Sequence, residues 1–239
     1  MSARIPPVGT IVFFEGRGLI ASVISWTTLP LGVYVFSTVM LLLGAALAWQ
    51  SGFRLTYFSC SVGSILGLAT VFVLGNVSKP SHVAIVSNIP TANSDIQPVL
   101  VESTTLAPMT CLVSGKFAKG VQAHEYADRI RSYDGRVWLY VPHKPLTASE
   151  SAELMAMAFA EMGKKYTELG AMVSATRLVR WAKHTVFRHS SAKRWCSKFV
   201  VLMLKHINRY PMGFHSDRSP AAVERDLLRT EAWDYVKVR

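Results

Sequence analysis

Two stretches of this chain carry no charge. No charged residue falls between Thr27 and Phe53, and the core of that stretch, LPLGVYVFSTVMLLLGAALAW at 29–49, is 21 residues long. After Arg54 comes LTYFSCSVGSILGLATVFVLGNV, 23 residues at 55–77. A helix needs roughly 20 apolar residues to cross about 30 Å of hydrocarbon. The two runs therefore predict a transmembrane helical hairpin. Trp49, Phe53 and Tyr57 stand near its turn, where aromatic residues favour the interface. Gly44, Ala45, Ala46, Ser61, Gly63, Ser64 and Gly67 would let the two helices approach closely. The alternative is a pair of buried core helices. The turn carries only Arg54, whereas the rest of the chain carries Arg4, Arg17, Lys79 and 22 further Lys/Arg beyond residue 80. The positive-inside rule then predicts an integral membrane protein of two spans, with both termini and the remaining domain in the cytoplasm.

The remainder is strongly basic. The net charge is +11, although only 17% of residues are charged and 50% are hydrophobic. Between Lys164 and Arg209 there are eleven Lys/Arg against one acid, Glu168. Within that region, AMVSATRLVRWAKHTVFRHS (171–190) reads as a basic amphipathic helix. Arg177, Arg180, Lys183, His184 and Arg188 supply its charged side and Val179 and Val186 part of its apolar side. Such a helix beside two spans is expected to lie on anionic headgroups, with the lipid bilayer as partner; the alternative is a solvated basic helix. The chain has no nucleic-acid recognition motif, and nucleic acid is not the expected partner.

The three cysteines, Cys60, Cys111 and Cys196, form neither a disulfide framework nor a zinc pattern. No metal and no cofactor is expected, and a reducing compartment is. The N-terminal apolar run is too short for a signal peptide and meets Glu15 and Arg17 at once.

Outside the hairpin, strands are predicted at GTIVFF (9–14), SHVAIVS (81–87), PVLVEST (98–104) and RVWLYVP (136–142). Helices are predicted over 147–163 with a Thr/Ser cap, over 190–210 capped by Ser190 or Ser191, and over 219–230 with Ser219 as cap and Pro220 at the first helical position. A short helix, GLIASVISW, leads into the first span. The fold class is α+β. The expected organisation is a domain split by the hairpin: 1–28, then 29–77 as the hairpin, then 78–239 with the basic segment 171–190.

Cys196 falls near the start of its helix, where unpaired amide N–H groups and the dipole favour a thiolate. Lys193, Arg194 and Lys198 add positive charge. A buried cysteine is as a rule an inert small apolar residue. A thiol catalyst needs a histidine and a group to orient it. His82 opens an apolar strand beside Ser81, and Glu102 is a lone carboxylate in another. Pairing of those strands would let Glu102 hold the His82 ring. A structural polar pair, or two solvent-facing side chains, is the alternative.

The segments GTIV, SHVAIV, VES, GKKYTE and CSKFV occur in an order that resembles the circularly permuted papain-like hydrolases of the NlpC type, in their YiiX-like and lecithin–retinol acyltransferase-like branch. The resemblance spans roughly residues 8–28 and 79–225, with the hairpin inserted before the histidine strand. It implies a permuted papain-like domain of antiparallel sheet and packed helices. It further implies Cys196 as nucleophile, His82 as base, Glu102 as the third residue, and Tyr166 as a substrate-binding residue; Trp195, beside the thiol, is a further substrate-binding candidate. The chain departs from the family at Thr10 for Asp, Ala84 for Gly, Lys198 for Glu and Thr167 for Asp.

These readings predict a membrane-anchored cysteine hydrolase or acyltransferase. A thioester acyl-enzyme would form from a membrane-proximal amide or ester in an acyl lipid, a lipidated protein or a peptide. The alternatives are an inactive membrane-embedded scaffold and a peptidoglycan endopeptidase.

Overall fold

The structure is a computed structural model that describes residues 5–16, 80–90, 96–105, 109–117, 119–166 and 194–238. Six strands make one sheet: β1 (Ile11–Gly16), β2 (His82–Pro90), β3 (Ile96–Thr104), β4 (Gly120–His124), β5 (Gly135–Pro142) and β6 (Trp233–Lys237). Their order is β4-β3-β2-β1-β5-β6 and every neighbouring pair is antiparallel. Among the described residues, four helices accompany the sheet: α1 (Tyr126–Ser132), α2 (Ala148–Glu161), α3 (Cys196–His206) and α4 (Pro220–Thr230).

The period of two along each strand sorts side chains between the two faces. Ile11, Phe13, Val83, Ile85, Val99 and Val101 join Leu154, Phe199, Val200 and Met203 in the larger core, against α2 and α3. Val12, Phe14, Ala84, Val86 and Leu100 turn the other way, toward Tyr126 and Ile130 of α1. Both faces are covered, which accounts for the near-continuous apolar runs of β1 and β2.

The helix ends follow local chemistry. Thr147 closes a capping box with Glu150 at the start of α2, and Arg209, just beyond α3, binds the same Glu150 carboxylate at 2.6 and 2.8 Å. Ser219 caps α4 with Pro220 in its first turn, as predicted. The third predicted helix begins later than its pattern suggests: α3 opens at Cys196 with Trp195 at the cap position, and Ser190 and Ser191 lie outside the described residues. β4, α1 and β6 are elements that the sequence pattern does not announce.

The expected fold class is corrected in one respect. The described fold is an α+β arrangement of a six-stranded antiparallel sheet and four helices, and no helix among the described residues is long and apolar enough to cross a membrane. The longest, α2, has 14 residues, which at 1.5 Å per residue falls well short of the hydrocarbon thickness. The same finding overturns the integral-membrane localisation with two spans and cytoplasmic termini. The residues that carried the expectation, 29–49 and 55–77, lie outside the described residues, as do the short helix before them and the basic segment 171–190 with Arg177, Arg180, Lys183 and Arg188.

Gly120 opens β4 with φ of 143°, and a Cβ there would meet the Lys164 carbonyl oxygen at 2.1 Å. That carbonyl accepts the Val121 N–H at 2.9 Å and so ties the chain after α2 to the sheet. Gly120→Ala is expected to cost about 2 kcal/mol or more, through a disfavoured φ and a displaced backbone. A urea-unfolding midpoint within error of wild type would contradict this.

Candidate active site

His82 is the first residue of β2, and Ser81 before it latches that end of the sheet: the Ser81 N–H donates to the Phe14 carbonyl at 2.8 Å, and its Oγ accepts the Gly16 N–H at 3.0 Å. The β2–β3 register pairs Ile85 with Val101 and Val86 with Leu100. Continued by one step, it sets Glu102 opposite Ala84, diagonal to His82 on the same face. The two side chains meet there, with His82 Nε2 at 2.6 Å from Glu102 Oε2. The His82 ring also lies against Phe14, with centroids 5.5 Å apart.

Glu102 is fully buried in a ring of basic side chains. Arg129 of α1 donates from Nε to Oε1 at 2.5 Å and from Nη2 to Oε2 at 3.2 Å, and His124 of β4 stands 3.6 Å from Oε1. Burial alone would raise the Glu102 carboxyl. The Arg129 charge and the His82 hydrogen bond outweigh it and hold Glu102 well below the usual carboxylate range. Burial pushes His124 down, so it is the neutral member of the ring.

Cys196 is the first residue of α3 and is buried. Its thiol acts on the His82 ring by charge and by hydrogen bond. Burial pulls His82 down, but the charge and hydrogen bond of Cys196, then those of Glu102, more than reverse it and raise His82 to about 9.

Neighbouring contacts fix the chain on both sides of the thiol. Ser103, next to Glu102, donates to the Arg194 carbonyl at 3.1 Å. The Arg194 guanidinium binds Glu161 at 2.6 and 3.1 Å. Ser197 Oγ donates to the Arg218 carbonyl, which brings the 215–219 loop beside the start of α3. Lys198 is buried with its Nζ 4.8 Å from the Trp195 ring centroid and 3.8 Å from Asp217. Its charge is thus turned toward the loop, and burial lowers its pKa.

Of the residues singled out in the sequence, the structure brings Cys196, His82 and Glu102 together. Tyr166 is half-buried and bridges to Arg194, two residues before the thiol. Trp195 is 2% exposed, packed into the interior at the cap of α3. Arg129, His124 and Gln122 do not stand out in the sequence. Gln122 is buried on the same face of β4 as His124, opposite Glu102 in the β3–β4 register. Arg129 leaves a faint trace there: it shares a helix face with Tyr126 and Ile130 at spacings of three and four. Among the described residues, no cluster of His, Cys, Asp or Glu has the makings of a metal site.

No protein-family description matches the chain, and no curated protein matches it. Among solved structures, the crystal structure of the metalloprotein yiiX from Escherichia coli O157:H7 is a neighbour. It is 12% identical, with a TM-score of 0.48 over 97% of each chain.

Proposed function

We propose that this protein is a cysteine hydrolase or acyltransferase of papain-like chemistry, acting on an amide or ester carbonyl. One observation carries the reading: a carboxylate hydrogen-bonded to an imidazole, and a thiol on the first residue of a helix that acts on that imidazole by charge and hydrogen bond. His82 holds the proton of the Cys196 thiol as an imidazolium. The sulfur attacks the carbonyl carbon, and the negative charge that develops on the carbonyl oxygen is met by N–H groups of the first turn of α3, the Cys196 N–H foremost. Collapse of this adduct breaks the bond to the leaving group, which takes the proton from His82, and a thioester remains on Cys196. Water or another acceptor then gives its proton to His82 and attacks the thioester, which releases the acyl product and restores the thiol. Glu102 holds one tautomer and orientation of His82 throughout.

The test is the alkylation rate of each cysteine against pH, with a small iodoacetamide-type probe and peptide mapping. An ordinary thiol, titrating near pH 8.5, loses reactivity on the order of 100-fold between pH 9 and pH 6.5. Cys196 is expected to keep its rate within a few-fold across that range, and His82→Ala to remove the advantage. Cys111 is the internal reference. It is as buried as Cys196, at 3% exposure each, yet its sulfur accepts the Ala123 N–H and has no described imidazole contact. A Cys196 that labels no faster than Cys111 at pH 6.5 would sink the reading and leave an inactive scaffold as the better one.

A further inference from the structure

The mechanism just described leaves a buried cation unused. Arg129 is 4% exposed, and its guanidinium lies 5.1 Å from the Phe14 ring centroid and 5.3 Å from that of Tyr133. Phe14 is the ring against which His82 rests. Arg129 meets Glu102 through two N–H groups, one on each carboxylate oxygen, and Glu102 Oε2 accepts from Arg129 and contacts His82 at the same time. A two-point fork fixes the plane of a carboxylate, whereas a single hydrogen bond leaves it free to turn. The direction of the His82 contact is thus set by a residue that does not touch it.

Charge points the same way. The groups facing His82 and Glu102 are Phe14 from β1, His124 from β4, Arg129 from α1, Tyr133 just after α1 and Cys196 from α3. Burial lowers His124 and raises Tyr133, so both are uncharged near neutral pH. The charges that remain are Glu102, Arg129, and the proton shared between His82 and Cys196. With Arg129 present, an imidazolium–thiolate pair leaves the site neutral. Without it, the thiolate forms in a buried site that already carries a negative charge.

We propose that Arg129 is a positioning residue of the thiol site: through Glu102 it fixes the direction of the His82 ring, and its charge balances Glu102 so that a thiolate can form. The proposal rests on the reading of Cys196, His82 and Glu102 given above.

The experiment is the same alkylation profile on the full chain, comparing wild type, Arg129→Gln and Arg129→Lys, with nitrogen-15 NMR of the histidine rings. Arg129→Gln removes the charge and is expected to move the pH midpoint of Cys196 labelling up by about one unit or more. Arg129→Lys keeps the charge but not the fork. Its midpoint is expected to stay near wild type while its limiting rate falls about tenfold or more. A role confined to stability would lower the unfolding midpoint and change neither quantity. Arg129→Lys carries the test if Arg129→Gln does not fold. A reactive wild-type Cys196 whose rate and midpoint are the same in the folded variants overturns the role of Arg129 and leaves the proposed function standing. An unreactive wild-type Cys196 is the failure of the proposed function, and NMR then decides Arg129 separately. A downfield His82 Nε2–H resonance in wild type that is lost in Arg129→Lys supports positioning, and its persistence overturns it.

Discussion

Glu102→Ala is expected to destabilise the fold by about 3–5 kcal/mol, among the largest effects of any single substitution in the described residues. The reason is what it leaves behind. Arg129 would stay buried with its fork empty, and His82 would lose its acceptor at 2.6 Å. Breaking a buried pair costs far more than the pair is worth, because an uncompensated charge remains in a poorly polarisable interior. The double variant Glu102→Ala/Arg129→Met removes both charges and is expected to recover more than half of the loss. Urea unfolding of both variants checks this. A single variant within about 1 kcal/mol of wild type would contradict it, and so would a double variant as unstable as the single. The pH dependence follows from the same contacts. The folded carboxyl lies below its unfolded value near 4.3, so its contribution is present above that pH and is lost as pH falls toward the folded value.

Why Glu102 is visible in the sequence and Arg129 is not is a matter of contrast. A carboxylate inside VLVEST, and a histidine at the head of an apolar strand, violate the pattern around them, and such violations mark sites. The antiparallel register then makes them diagonal neighbours. Arg129 violates nothing: YADRIRS is polar and short, and an arginine there reads as solvated until β4 and α1 are known to fold over Glu102. β4 escapes notice for a related reason. GVQAH has little β-branched content, and all five of its residues are buried, so tertiary pairing with β3 outweighs local propensity. The helix with Cys196 is legible from its stripe of Phe199, Val200, Met203 and Ile207, all of them buried. Its pattern sets the start too early because Ser190 and Ser191 are better caps than Trp195. Apolar length is the least secure guide. It points to membrane-crossing helices, and none of the described helices is of that kind.

His82 is expected to titrate near 9 in the wild-type protein, and to fall by more than one pH unit in Cys196→Ala. Opposing effects act on this one ring. Burial favours the neutral imidazole and persists in the variant. Cys196, by charge and then by hydrogen bond, is the larger of the two partners that favour the imidazolium, and Glu102 is the smaller. Removing the sulfur leaves burial opposed by Glu102 alone. The sign carries over to stability. A folded value above the unfolded one, near 6.5, means that the His82 contribution is complete below about pH 6.5 and is lost as pH rises through about 9. A His82 resonance titrating near 6.5 in wild type and unmoved in Cys196→Ala would show that no thiolate–imidazolium pair exists. The close contacts of Glu102 with His82 and Arg129 would then be a structural polar network without a nucleophile at its end.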